Sequence, residues 1–142
     1  MKGTQMLKRK IKVYLSHPIR GVLRDQATEE TMKANNLKAI QWGRELWGEF
    51  GSQLDLYVPG EHDEFVLIAY LNKFLTERQI LQVDCEIISR CRAVIVANWE
   101  GTYSGGMKVE VDYANEHDIP VFMLNNLNMK CLENLRMFLE TL

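Results

Sequence analysis

The sequence predicts an α/β domain of three layers, Rossmann-like (flavodoxin-like), with a parallel sheet of four to five strands covered by helices. Three observations carry this prediction. Short apolar runs recur at "IKVYL" (11–15), "LDLYV" (54–58), "AVIVAN" (93–98) and "PVFML" (120–124). Longer segments between them repeat apolar residues at helical spacing. The run at 93–98 is apolar almost throughout, as a strand covered on both faces must be.

Each element follows in order. The first strand, 11–15, leads into the polar loop "SHPIRGVLRDQA" and then into a long helix from Thr28 to Phe50. Leu37, Ile40, Trp47 and Phe50 share one face of that helix, Gly43 permits close packing, and Gly51 stops it. The second strand, 54–58, ends at Pro59-Gly60. Helical spacing resumes at Asp63 and continues to Cys91 with a break near Leu75, where Thr76 and Gln79 can form a capping box. The third strand, 93–98, is followed by a loop to Gly106, a helix over 107–117, the strand 120–124 and a closing helix from Met129. Ligands of such sheets bind beyond the carboxyl ends of the strands, which here open into "SHPIRG", "NWEGTYSGG" and "NNLN".

A chain of 142 residues suits one core, with a single domain over 11–142 and a flexible arm over 1–10. Hydrophobic residues at 46% and charged residues at 25% are the balance of a globular protein, and a net charge of -2 excludes a broad footprint for a nucleic-acid polymer. The short cluster Lys8-Arg9-Lys10 belongs to the solvated arm. Cys85, Cys91 and Cys131 are odd in number and lack metal-type spacing, so neither a disulfide framework nor a metal site is expected. They read as small apolar residues in a reducing compartment. No apolar run has the length of a membrane span and no signal peptide is visible; the expected location is the cytoplasm.

Two acids break the helical pattern. In "GMKVEVDYANE" the apolar arc contains Met107, Val109, Val111, Tyr113 and Ala114, and Glu110 falls at its centre. In "TERQILQVDCEIISRC" the arc of Ile80, Leu81, Val83, Cys85, Ile87, Ile88 and Cys91 is centred on Asp84. A buried carboxylate is costly unless it is paired or hydrogen-bonded. One inward acid is accounted for by a buried partner; two on helices flanking one strand point to a site. Two carboxylates in one pocket suit glycosidic chemistry. A helix that starts at Thr76, however, sets Asp84 roughly 12 Å along its axis at ~1.5 Å per residue, deeper than the strand ends.

The loops supply candidates for an anion. Ser104, Gly105 and Gly106 precede a helix N-terminus, where free N–H groups and the dipole favour a phosphate or carboxylate; they equally describe a tight turn with a serine cap. Arg20 could pair with that anion or lie at the surface, and His17 could be a second contact or a plain loop histidine. Asn98 and Trp99 follow the third strand, with Trp99 suited to stacking on a base or to the core.

The stretches "VYLSHPIRG", "DCEIISRCRAVIVA" and "SGGMKVEVDYA" resemble, in this order, the nucleoside 2-deoxyribosyltransferase superfamily. The likeness is closest to its nucleotide-cleaving branch, the 2′-deoxynucleoside 5′-phosphate N-hydrolases and related CMP hydrolases. The resemblance implies cleavage of the N-glycosidic bond of a (deoxy)nucleoside 5′-monophosphate with no metal or other cofactor. By motif position Glu110 would attack C1′, Asp84 would be the second acid that assists the leaving base, and Tyr14 would stand beside the attacking carboxylate. Arg20 and Gly21, with Ser104, Gly105 and Gly106, would hold the 5′-phosphate. Pro18 departs from the small hydroxyl residue of the hydrolase branch, a contact that Ser16 or His17 could replace. The resemblance also implies a homodimer or higher homo-oligomer, with Trp42 as an interface residue. Base exchange between nucleosides, NAD cleavage of the Toll/interleukin-receptor type and a non-catalytic nucleotide sensor are the competing functions.

Overall fold

The computed structural model describes residues 10–21, 26–103 and 105–142. The arm that precedes residue 10, most of the loop over 22–25 and Ser104 lie outside them. The elements run β1 (Ile11–Ser16), α1 (Glu29–Phe50), β2 (Leu54–Tyr57), α2 (Asp63–Leu71), α3 (Glu77–Ile88), β3 (Ala93–Ala97), α4 (Gly106–Glu116), β4 (Val121–Leu124) and α5 (Met129–Glu140). The four strands form one all-parallel sheet in the order β2-β1-β3-β4. This is an α/β fold of the Rossmann/flavodoxin-like kind.

Alternation along the strands divides the core into two layers. Val13 and Leu15 of β1 face α1 and α5, with Ala39, Trp42, Leu46, Phe50, Leu132 and Leu135. Tyr14 of β1 and Val94 and Val96 of β3 face α3 and α4, with Ile88, Met107, Val111 and Ala114. Strand order reverses between β1 and β3, so the loops that follow these two strands part there and leave a crevice.

Helix ends follow local chemistry. Thr28 caps α1 by accepting from the Thr31 N–H, and Asn128 caps α5 by accepting from the Cys131 N–H. The capping box expected at Thr76 and Gln79 is present in both directions and starts α3. Gly43 is buried, and a Cβ there would stand 3.2 Å from Cγ2 of Val58, which explains the glycine.

The structure corrects three expectations about faces. The buried side of α1 carries Asn36, Ala39, Trp42, Gly43, Leu46 and Phe50, while Leu37 and Trp47 are 62% and 60% exposed. The helix rests on its small residues, Ala39 and Gly43, and is rolled toward Trp42. Trp42 is 8% exposed and packs edge-on against Trp99 at 5.4 Å, so it is a core residue and not available as an interface anchor. In α3 and α4, Val83 and Val109 are exposed. The inward stripe of α4 is Met107, Glu110, Val111 and Ala114, the narrower spacing of a helix lying on a sheet.

Among the described residues, no helix is long and apolar enough to cross a membrane.

Candidate active site

Period-two alternation aims both Tyr14 and Ser16 from β1 at the layer where α4 lies, and both side chains end on Glu110. The Tyr14 hydroxyl donates to Oε2 of Glu110 at 2.6 Å, and the Ser16 hydroxyl donates to Oε1 at 2.8 Å. Each carboxyl oxygen of this buried acid therefore has a donor of its own. Asp84 enters from α3, lines the same cavity as Glu110 and interacts electrostatically with it. The sequence-level problem of its depth is resolved by the position of α3. Glu77, Ile80, Leu81 and Asp84 all line the same cavity, so the first turns of α3 form its wall rather than covering the sheet.

The electrostatics follow from burial. Loss of water raises the pKa of Glu110, and repulsion from the Asp84 carboxylate raises it further; the Tyr14 and Ser16 hydroxyls oppose the shift. Asp84 is raised by burial too, while Glu110 and Tyr14 oppose that shift. The two acids thus titrate as a pair that keeps one proton above the ordinary carboxylate range, with Glu110 the more reluctant to ionise. Burial, followed by the two neighbouring carboxylates, pushes the Tyr14 phenol well above its ordinary pKa, so it remains a donor.

Glu110 and Asp84 line a cavity of about 440 Å³, with Tyr14 and Ser16 buried behind Glu110, within the roughly 300–1,000 Å³ usual for small-molecule sites. His17, Arg20, Gly21, Gly105 and Gly106 line it as well. His17 has a structural role: its Nδ1 lies 2.9 Å from the Pro18 carbonyl oxygen, and its Nε2 accepts from the Gly60 N–H at 2.9 Å. Burial lowers its pKa to about 4, so the ring is neutral and ties the loop after β1 to the turn after β2. Gly21 has φ +65, and a Cβ there would stand 2.7 Å from Oε2 of Glu100. Gly105, with φ 60, is the N-cap of α4, a left-handed conformation that suits glycine.

Tyr14, Ser16, Asn98 and Trp99 stand apart from the cavity lining, the first two bound to Glu110 beneath it. Trp99 packs on Trp42 and stacks on His17, with the Lys38 ammonium 5.0 Å from its ring centroid. Asn98 donates to Oδ1 of Asn125 at 3.0 Å. Both strengthen the wall behind the crevice. Ser104 lies outside the described residues. Tyr57, Asp63 and Glu100 line the cavity without having been selected. Tyr57 ends β2 and stacks on Tyr14 with centroids 5.6 Å apart; its place at a strand's carboxyl end was the available signal. Glu77 pairs with Arg20, its Oε2 2.5 Å from Nη2.

Fold and site together define an α/β parallel-sheet protein with two acids, Glu110 and Asp84, on one cavity at its topological switch point. In comparisons with known proteins, no family model, curated protein or solved structure matches the chain.

Proposed function

We propose that the chain is a glycosidic enzyme that breaks the N–C1′ bond of a (deoxy)nucleoside or its 5′-monophosphate and releases the free base. The observation that carries this reading is the two acids Glu110 and Asp84 lining a ligand-sized cavity, with the buried Tyr14 hydroxyl donating to Glu110. The resemblance of three sequence stretches to the nucleoside 2-deoxyribosyltransferase superfamily supports it.

The chemistry follows from the shared proton. As C1′ approaches, Glu110 cedes its proton to Asp84 and attacks C1′ with the freed oxygen. The C1′–N bond breaks, its electron pair stays on the base, and Asp84 protonates the base directly or through a water. The positive charge developing at C1′ is stabilised by the carboxylate more than the ground state is. Water then attacks C1′ and returns a proton to Asp84, and Glu110 leaves as a carboxylate.

Base exchange is the second reading. Val66, Leu67, Ile80 and Leu81 give the cavity an apolar wall, which favours a second base over water at the intermediate. Self-association is supported by Phe65, Ile68, Leu71 and Phe74, large apolar residues exposed on and just after α2; light scattering at several concentrations measures it. Chromatography of free base from nucleosides, their 5′-monophosphates and NAD tests the function. Release from the wild type and its loss in Glu110→Ala supports the enzyme. Nucleotide binding without release from any substrate supports a sensor.

A further inference from the structure

Resting on the glycosidic reading of the cavity, we infer that Glu77 is a specificity residue that holds Arg20 and makes the site prefer a nucleoside to its 5′-monophosphate. Arg20 is the one cationic side chain among the described residues lining the cavity. With C1′ over Glu110, a 5′-phosphate has no other side-chain cation to reach among the described residues of the lining. Arg20 is not waiting for it: Oε2 of Glu77 lies 2.5 Å from Nη2. A phosphate must therefore displace a carboxylate from the guanidinium or lie beside one.

The surroundings deepen the effect. Asp63, Glu77, Asp84, Glu100 and Glu110 all line the cavity against Arg20 alone. Even with one proton shared by Asp84 and Glu110, the lining is net negative. A dianion enters against that field, whereas an uncharged nucleoside does not. The position of Glu77 is fixed by the fold. It is the first residue of α3, directly after the Thr76 of the capping box, so its backbone is set by two reciprocal hydrogen bonds. The Arg20 and Glu77 side chains retain 31% and 46% of their exposure. The contact acts less by strengthening the fold than by occupying the cation, since half-exposed pairs add little stability.

The test is calorimetric titration of the full chain with deoxycytidine, deoxyadenosine and their 5′-monophosphates, on wild type, Glu77→Gln and Arg20→Gln/Glu77→Gln. The wild type is expected to bind the nucleosides more tightly. Glu77→Gln is expected to shift the ratio toward the monophosphates by at least about tenfold, less at high salt. The double variant should lose that gain, because Arg20 is the cation on which it depends. A wild type that prefers monophosphates, or a ratio unmoved by Glu77→Gln, overturns the inference; an equal loss of both ligands assigns Glu77 a structural role only. Binding is read independently of turnover. A shifted ratio without base release keeps the inference and removes the glycosidic reading; base release with an unmoved ratio does the reverse. Failure of all four ligands to bind any variant overturns both.

Discussion

Glu110 is held by two hydroxyls in a layer made largely of apolar side chains, with Asp84 on the same cavity. Such an acid is useful only if its proton can leave when the substrate arrives. The Tyr14 hydroxyl favours the ionised form, so Tyr14→Phe should raise the pair's pKa further and lower kcat by roughly 10–100-fold. The pH–rate profile of the wild type should be bell-shaped, active while the pair holds one proton, with its acidic limb above the ordinary carboxylate range. Stability carries the opposite signature. Both folded pKa values lie above those of the unfolded chain, so the pair costs nothing at low pH and destabilises the fold as pH rises through the folded values. Glu110→Gln should therefore raise the melting temperature by several degrees near pH 8 and by little near pH 4, while abolishing turnover. His17 acts in the other direction, because burial lowers its pKa to about 4 and stability falls as pH drops below its unfolded value. Comparing Glu110→Gln with wild type at each pH cancels that contribution.

At the scale of elements, the site depends on two fastenings. The capping box at Thr76 fixes the start of α3, from which Glu77 and Asp84 project; Thr76→Ala should cost about 1 kcal/mol by denaturant unfolding. The turn after β2 packs so closely on α1 that a Cβ at Gly60 would stand 3.0 Å from the Asn36 carbonyl oxygen and 3.1 Å from its Cα. Both neighbours are backbone, and the Gly60 N–H also binds His17. Gly60→Ala should therefore destabilise by about 1–3 kcal/mol and loosen the loop after β1. The strands and helix starts were legible in the sequence because each has a local cause: apolar runs, a capping box, Pro59-Gly60, the glycines before α4. The roll of α1 was not. Leu37 and Trp47 are as apolar as the residues it buries, and Ala39 and Gly43 win by letting the helix approach the sheet, a property of the packed pair rather than of either segment.

For the whole molecule, the switch point between β1 and β3 brings together residues far apart in the chain: Tyr14 and Ser16, Asp84, and Glu110. The two acids were legible because a carboxylate inside an apolar stripe violates the pattern around it. Ser16 as a ligand of Glu110, the clamping role of His17 and the pairing of Arg20 with Glu77 were not, since hydrogen-bond and ion-pair partners across elements leave no periodic trace. The sequence leaves Trp99 open between base stacking, an interface and the core, and its packing on Trp42 and His17 puts it against the core. The central claim is that the buried pair performs glycosidic chemistry. Its most direct measurement is chromatographic detection of free base after incubation with nucleosides, their 5′-monophosphates and NAD, using wild type and Glu110→Ala side by side. The account predicts base release by the wild type and a loss of roughly 10³-fold or more in the variant, with its fold intact by circular dichroism. Release at the wild-type rate by Glu110→Ala, or no release from any substrate by the wild type, would contradict it.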